Sequence, residues 1–418
     1  MKTHHVTLLG KAVQSLMRLR GGGSAFPGLL VEKIDKNFIK RSLSDLPRGI
    51  VVISGTNGKT TTTKIVVELL KGQGLKVFTN KTGSNFSRGV AAALLSEMTI
   101  TSKLDADIAV LELDEAHAVP FVKAIPPTYS LLLNVMRDQL DRFTEIDKTA
   151  SLLEEIAQAT TKKVVLNRED QRVADIAQVS SADVSYFGFN PELKELFSNA
   201  DYKASKPSDK PADVSVMLDM IDGDHAKFVI DGKTHGTDLK LRASYNMFNA
   251  AGAMALVQDI MGSELDTDKM IASLETISPA FGRGEHLTVK GSEIDIILVK
   301  NPSGFQLSLA SFNDQYTDTM IAINDDYADG RDMSWLWDVD FTKFVAPIKS
   351  VSGVRAYDMA LRLKYDDIKI DHISTDISAC LRHFLSGKSA KKQIFCSYTA
   401  MLAIRKEITK LKIGETES

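Results

Sequence analysis

Residues 51–62 of the chain read Val-Val-Ile-Ser-Gly-Thr-Asn-Gly-Lys-Thr-Thr-Thr, an apolar run that leads into a loop with two glycines. Apolar side chains recur with helical spacing over residues 64–70, so the loop is predicted to join a strand to a helix. Such a loop binds phosphate, because its backbone N–H groups and the positive end of the helix both attract an anion. We therefore expect ATP to be bound by seven consecutive residues: Gly55, Thr56, Asn57, Gly58, Lys59, Thr60 and Thr61.

Two side chains of this loop have predicted roles of their own. Lys59 is expected to reach the terminal phosphates, and the hydroxyl of Thr60 is expected to be a ligand of Mg²⁺. The alternative is an ordinary turn whose lysine faces the solvent. The strand before the loop and the helix after it favour the phosphate site.

The composition is that of an ordinary soluble protein, with 418 residues of which 44% are hydrophobic and 25% are charged. A net charge of −3 argues against a nucleic-acid partner, because such a surface needs a basic excess. The two cysteines, Cys380 and Cys396, cannot build a disulfide framework and suit a reducing compartment. No apolar run reaches membrane-spanning length, so we expect no transmembrane segment and a cytoplasmic protein.

Short apolar runs alternate with helix-like segments, which is typical of an α/β fold with a parallel sheet. Strands are predicted at residues 76–79, 108–113, 130–134 and 163–167, then at 214–217 and 226–230, and in a second α/β pattern at 294–299, 320–324 and 348–351. A polar segment over residues 190–211 is predicted to be an exposed insertion. We expect three parts: an N-terminal arm (1–48), a central ATP-binding domain (49–285) and a C-terminal α/β domain (286–418).

Two acidic side chains follow a buried strand, where an unpaired charge is costly and Mg²⁺ would compensate it. Glu112 is the first choice as the metal ligand and Glu115 is the second. Ordinary surface acids at a strand end are the alternative. Further along, Gly282 and Gly284 flank Arg283, and this stretch is either a hinge whose arginine reaches the nucleotide phosphates or a solvated turn.

Several of these segments resemble the Mur ligase and folylpolyglutamate synthase superfamily, which forms amide bonds through acyl phosphates. They are Gly-Thr-Asn-Gly-Lys-Thr-Thr (55–61), Leu-Glu-Leu-Asp-Glu-Ala (111–116) and Tyr-Asn-Met-Phe-Asn-Ala-Ala (245–251). The resemblance implies a Mur ligase-like P-loop central domain, a Rossmann-like C-terminal domain, Mg²⁺ held by Glu112, and Asn249 beside the nucleotide. Tyr245 and Gln139 stand where the superfamily usually has histidines, which puts a second Mg²⁺ site in doubt.

Residues 138–143, 298–305 and 324–332 also resemble the MurT family, the ligase subunit of lipid II isoglutaminyl synthase. This resemblance implies ATP-dependent amidation of the D-glutamate α-carboxylate in the stem peptide of lipid II, at the inner face of the membrane. The ammonia would come from a GatD-like glutaminase in a heterodimer, since this chain offers no convincing Cys-His pair. MurT proteins commonly carry a four-cysteine zinc ribbon, but no cysteine precedes Cys380, so no zinc is expected.

The only two tryptophans, Trp335 and Trp337, stand beside Asp338 and Asp340. Aromatic anchors next to a carboxylate suit a protein interface. By resemblance, an aspartate of this motif completes the Cys-His pair of the glutaminase, and we choose Asp338 over Asp340. A structural turn with core tryptophans is the alternative.

Two other functions remain open on the sequence alone. A self-sufficient ligase that adds an amino acid needs an amine pocket in the C-terminal domain and no partner. A nucleotide-binding scaffold without catalysis would tolerate the loss of Lys59 or Glu112.

Overall fold

The chain folds around two β-sheets that are joined near residue 280. The computed structural model describes residues 3–19, 26–80, 86–138, 146–197, 213–241, 243–279, 283–289 and 291–416. Within these ranges no helix is both long and apolar enough to cross a bilayer.

The first sheet has the strand order β2-β3-β1-β4-β5-β6-β7-β8-β9, and its members are parallel up to β7. Strands β8 and β9 extend it as antiparallel hairpins. The strands are β1 (Ile50–Ser54), β2 (Val77–Thr79), β3 (Ile108–Glu112), β4 (Tyr129–Leu132), β5 (Lys163–Asn167), β6 (Asp183–Phe189), β7 (Val216–Asp222), β8 (His225–Ile230) and β9 (Lys233–Asp238).

Helices cover both faces of this sheet, so its central strands are buried on both sides and read as unbroken apolar runs. Val51 and Ile53 pack on one face under α4, α9 and α10, while Ile50 and Val52 face the N-terminal arm and α5 to α7. The helices are α1 (Thr3–Leu19), α2 (Phe26–Ile34), α3 (Phe38–Leu43), α4 (Lys59–Gly72), α5 (Ser87–Glu97), α6 (Glu115–Ala124), α7 (Ile146–Ala159), α8 (Gln171–Ala174), α9 (Ser244–Met261) and α10 (Thr267–Thr276).

The second sheet has the order β10-β11-β15-β12-β13-β14, with an antiparallel β10–β11 hairpin and parallel pairing elsewhere. The strands are β10 (Arg283–Val289), β11 (Ser292–Leu298), β12 (Asp318–Ala322), β13 (Ile348–Ser352), β14 (His372–Ser374) and β15 (Lys391–Cys396). The helices are α11 (Pro302–Ser311), α12 (Ala356–Tyr365), α13 (Ile377–Leu385) and α14 (Tyr398–Thr416), and short 3₁₀ helices occupy Pro191–Phe197 and Ser334–Asp338.

The α/β fold with a parallel central sheet and a second α/β sheet is confirmed. Sequence reasoning missed five strands, namely β6, β9, β10, β14 and β15. The second sheet begins at Arg283, ahead of the expected domain limit after residue 285, because β10 pairs with β11. The division into three parts stays a prediction. The polar segment begins with the 3₁₀ helix Pro191–Phe197, and its residues 198–211 lie outside the described residues.

Asp170 is buried at the carboxyl end of the first sheet, where it connects the segment after β4 to the start of α8. Its carboxylate caps α8 and accepts hydrogen bonds from the N–H groups of Val135, at 2.7 Å, and Arg172, at 3.1 Å. Burial disfavours the charged form and raises the pKa of Asp170 to about 6, in spite of these donors and the nearby Arg172 cation.

We predict that Asp170→Asn changes the pH dependence of stability. The folded pKa lies above the usual aspartate value of 3.8, so the stability that this group contributes is fully present below pH 3.8 and is lost as the pH rises through about 6. Relative to Asp170→Asn, the wild type should lose up to about 3 kcal/mol of unfolding free energy over that window. Thermal melts of both proteins from pH 4 to 7 test this, with the exposed Asp147→Asn as the control. A melting-temperature difference that does not vary with pH would contradict the prediction.

Candidate active site

Three neighbouring strands of the first sheet bring the candidate residues together. Strand β1 lies between β3 and β4, and all three are parallel, so their carboxyl ends meet at one edge. The phosphate loop follows β1, Glu112 ends β3, and Asn134 follows β4. Ligands of open α/β sheets bind at such an edge.

The loop from Gly55 to Gly58 has a fixed shape. Both glycines have positive φ, +134° and +92°, which side chains rarely adopt. Asn134 accepts from the N–H of Asn57 at 2.8 Å through its side chain and donates back to the Asn57 carbonyl at 2.9 Å. Its own carbonyl accepts from the N–H of Thr56 at 3.0 Å. Helix α4 begins at Lys59, so the N–H groups of its first turn are available to an anion.

Asn249 lies against the loop, beside Gly58. A Cβ added to Gly58 would be 2.7 Å from Nδ2 of Asn249, so residue 58 must be a glycine for this side chain to keep its place. Asn249 and Thr61 line a cavity beside the loop, together with Tyr245, Phe248, Leu298 and Leu307. An apolar cavity with a few amides suits the base of a nucleotide.

The Lys59 ammonium is held inside the site. Nζ donates to the carbonyl of Gly55 at 2.6 Å and to Oε2 of Glu115 at 3.1 Å. Burial alone would lower the pKa of Lys59, but the negative charges of Glu115, Asp114 and Asp138 outweigh it and raise that pKa. Lys59 therefore stays charged. Glu115, the second choice as a metal ligand, is the ion-pair partner of this lysine.

Thr60 and Glu112, the two expected metal ligands, are in direct contact. The Thr60 hydroxyl donates to Oε1 of Glu112 at 2.8 Å. Asn80 holds the Glu112 backbone through two hydrogen bonds, of 2.8 and 3.0 Å. The described residues contain no cluster of three His, Cys, Asp or Glu side chains able to hold a metal alone. One hydroxyl and one buried carboxylate fit Mg²⁺, which usually completes its shell with phosphate oxygens and water.

The second domain closes the site from the other side, which sequence reasoning did not predict. Asn301 caps α11 and contacts Asn57, with Nδ2 3.1 Å from the Asn57 Oδ1 and 3.1 Å from Oδ1 of Asp138. The resulting cleft is lined from the first domain by Thr56 to Lys59, Glu112, Asp114 and Asp138, and from the second by Val299, Lys300, Asn301, Ala328, Asp329 and Tyr398. The carboxyl ends of the two sheets thus face each other.

Asp338 lies outside this cleft, at the end of the 3₁₀ helix Ser334–Asp338. Trp335 is buried, whereas Trp337 is half exposed. The carboxylate of Asp340 accepts from the N–H and hydroxyl of Thr342 at 2.9 and 2.6 Å, which lowers the pKa of Asp340. Asp338 is exposed and its carboxylate has no such bond within the described ranges.

The two cysteines are poor nucleophiles. Both are buried, and burial raises the pKa of Cys380 and of Cys396. Two candidates cannot be placed: Gln139 and the side chain of Arg283 lie outside what the structure describes. Pro279 lies beside α4, because the Lys64 ammonium donates to its carbonyl at 3.1 Å.

Comparisons with known proteins match both domains. The family model "Mur ligase middle domain" matches residues 53–257, and "MurT ligase C-terminal" matches residues 298–401. A lipid II isoglutaminyl synthase subunit MurT of Streptococcus pneumoniae is 28% identical over all of this chain and 99% of the relative. The MurT of Staphylococcus aureus strain COL is 28% identical over 83% of this chain and 84% of its own. The MurF ligase of Thermotoga maritima, solved with ADP, has a TM-score of 0.70 at 17% identity and covers 91% of this chain and 84% of its own.

Gly58→Ala should weaken nucleotide binding at least tenfold, because the new methyl group meets the Asn249 amide at the wall of the cavity. The matched control is Gly74→Ala, whose glycine has a similar φ of +90° but open space around it. Both variants should lose about 1–2 kcal/mol of stability from the left-handed backbone. Titration with a fluorescent ADP analogue measures the loss of nucleotide affinity, and thermal melts measure the loss of stability. Wild-type affinity in Gly58→Ala would overturn the assignment of this loop.

Proposed function

We propose that this chain, which belongs to the MurT family of Mur ligase-like proteins, is the synthetase subunit of a lipid II isoglutaminyl synthase. It would convert the α-carboxylate of the stem-peptide D-glutamate to the amide of D-isoglutamine, with ATP and ammonia. The observation that carries the proposal is the cleft in which Lys59 and Glu112, to which the Thr60 hydroxyl donates, face the strand ends of a MurT-type C-terminal domain.

The reaction needs two displacements. A carboxylate oxygen attacks the γ-phosphorus of ATP and ADP leaves; the lone pair of ammonia then attacks the acyl carbon, and the carbon–oxygen bond to phosphate breaks. The nitrogen gives up one proton, and inorganic phosphate is the other product. Phosphoryl transfer depends on positioning and on charge neutralisation, because its charge is spread over the phosphate oxygens.

The residues of the cleft can supply both requirements. Lys59 is charged and buried beside Glu115, and its ammonium would neutralise charge on the terminal phosphates of bound ATP. The loop N–H groups would bind the β-phosphate. Thr60 and Glu112 would hold Mg²⁺, which neutralises phosphate charge when it is bound. We assign the nucleotide base to the cavity beside Asn249 and keep Arg283 as a residue that contacts phosphate from the domain edge.

Ammonia would come from a GatD-like glutaminase in a heterodimer. Glutamine hydrolysis needs an activated thiolate, and both thiols of this chain are buried with raised pKa values. The MurT relatives of S. pneumoniae and S. aureus are named as subunits of a glutamine-hydrolysing enzyme. Asp338, with its exposed carboxylate, is the residue that would orient the histidine of the partner's thiolate pair.

An apolar stripe beside Asp338 supports a protein partner at this place. Trp337 packs edge-on against Tyr365, with ring centroids 5.2 Å apart. Tyr365 continues along α12 with Leu361 and Tyr357, and these three are 71%, 47% and 68% exposed. Their spacing of four residues places them on one face of the helix. Contiguous exposed apolar surface of this kind marks interaction sites.

Lipid II is a membrane-anchored substrate, so we place the reaction at the inner face of the cytoplasmic membrane. The protein itself contributes no membrane-crossing helix in its described part.

The proposal predicts two outcomes in an assay of ATP turnover and product mass with lipid II. Ammonium alone should support exchange of a hydroxyl for an amide, and glutamine should do so only when the glutaminase subunit is added. Lys59→Ala and Glu112→Ala should each lower the rate at least a hundredfold with either nitrogen source. Gain of a whole amino acid without a partner would identify a self-sufficient ligase, and the absence of ATP turnover and of any mass change with either nitrogen source would identify a scaffold.

Asp338→Asn should separate the two half-reactions. We expect glutamine hydrolysis by the complex to fall at least a hundredfold, because the asparagine no longer stabilises the charged histidine. Amidation from ammonium should stay within twofold of the wild type, since Asp338 does not line the phosphate cleft. Asp340→Asn is the matched control, because that carboxylate is already bonded to Thr342. A larger loss in Asp340→Asn would reverse our choice between the two.

A further inference from the structure

We infer that the outer face of helix α1 docks the protein on an anionic phospholipid surface. This face belongs to the N-terminal arm, residues 1–48, and within the described part of the chain no residue of the arm lines the phosphate cleft or the cavity beside Asn249. The inference therefore goes beyond the proposed reaction, because it concerns a surface that takes no part in the chemistry.

The inner face of α1 is already used by the fold. Val6 is fully buried, and a Cβ added to Gly10 would be 2.6 Å from Cδ2 of Leu95 on α5 and 2.7 Å from Cγ2 of Val31 on α2. The Lys11 ammonium donates to the carbonyl of Leu95 at 2.6 Å. These contacts fix α1 against α2 and α5, so its opposite side faces the solvent.

The outer face of α1 is apolar, although the solvent side of a surface helix is normally polar. Leu8, Leu9 and Leu16 are 41%, 43% and 60% exposed, and Ala12 is exposed between them. At 3.6 residues per turn these four residues fall within roughly 100° of the helix circumference, on the side away from the buried residues. Contiguous exposed apolar surface of this kind marks an interaction site.

Exposed apolar side chains also lie in the segments that contact α1. Phe26 and Ile34 are exposed on α2, which packs beside α1. Ile100 is exposed after α5, and two residues further on the Ser102 hydroxyl donates to the Thr7 hydroxyl of α1 at 2.8 Å. The exposed apolar area in this part of the molecule is therefore larger than one helix face.

The charge of the arm indicates what covers this face. Residues 1–48 contain nine lysines and arginines but three aspartates and glutamates, a net charge of +6, whereas the whole chain has a net charge of −3. The remaining residues therefore carry −9. Helix α1 itself has no acidic residue. Apolar side chains in a basic segment are typical of helices that lie in the surface of an anionic membrane.

A second copy of the chain fits this face less well. A symmetric dimer places the same patch of both copies in contact, so two basic arms would face each other. Like charges brought together in an interface cost free energy. A lipid surface has no such conflict, because anionic headgroups attract the lysines and arginines while the leucines enter the boundary of the acyl chains.

Co-sedimentation of the full chain with lipid vesicles tests the inference. The assay contains no ATP, lipid II or glutaminase, so its result does not depend on the proposed function. The wild type should bind vesicles of phosphatidylcholine and phosphatidylglycerol at least tenfold more tightly than vesicles of phosphatidylcholine alone. High salt should weaken this binding, because it screens the attraction between the arm and the headgroups.

Two double variants locate the binding face. Leu9→Ser combined with Leu16→Ser should weaken binding to the anionic vesicles at least fivefold, because two exposed leucines no longer enter the lipid. The matched control is Leu402→Ser combined with Val345→Ser, whose native side chains lie outside the arm and are similarly exposed, at 41% and 60%. The control should bind within twofold of the wild type. If thermal melts show that the arm variant is unfolded, Leu16→Gln decides by the same criterion.

Four results would overturn the inference. They are binding of the wild type to neither kind of vesicle, equal binding to both kinds, equal losses in the arm variant and the control, and a wild-type dimer in light scattering that the arm variant dissociates. The proposed function is judged separately, from amidation of lipid II in detergent micelles with ammonium. Both double variants should react there within twofold of the wild type, and a wild type that does not react would reject the proposed function but not the docking surface.

Discussion

The position of β1 between two parallel neighbours is the constraint on which the site depends. Because β1 pairs in parallel with β3 and β4, the carboxyl ends of all three strands lie at one edge of the sheet. The phosphate loop, Glu112 and Asn134 therefore lie next to one another. The apolar side chains that hold this register, such as Val51 and Val52, are buried on opposite faces of the sheet. The core packing that fixes the register of these strands therefore also fixes the positions of the site residues.

The same edge is completed by a second sheet, and the contact is polar. Asn57, Asn301 and Asp138 form a small network of side-chain hydrogen bonds across the domain junction. Amide groups suit this place because each can both donate and accept a hydrogen bond.

Sequence reasoning found the fold class and the residues that local pattern determines. The glycine loop and the acid at the end of β3 are recognisable because strand, turn and helix each leave a short-range signal. Two of the five missed strands lack that signal: β9 is Lys-Thr-His-Gly-Thr-Asp, a polar edge strand, and β14 has three residues. Asn301, Lys300 and Tyr398 could not be assigned to the cleft, because their placement depends on how two sheets with separate cores are docked. Gln306 and Asp340 are joined by a contact over 34 residues that no local pattern encodes.

The buried ion pair of Lys59 and Glu115 shows how the cleft can receive a highly charged nucleotide. A buried carboxylate without a partner is costly. If Lys59 paired with the phosphates instead, the charge of Glu115 would therefore need another source of stabilisation. Glu115 is the first residue of α6, where the positive end of the helix stabilises a negative charge. The loop backbone and the first turn of α4 offer the same kind of field to the phosphates. In the proposed reaction, Lys59 would pass from Glu115 to a phosphate, and each of these two anions would keep the N-terminus of a helix beside it.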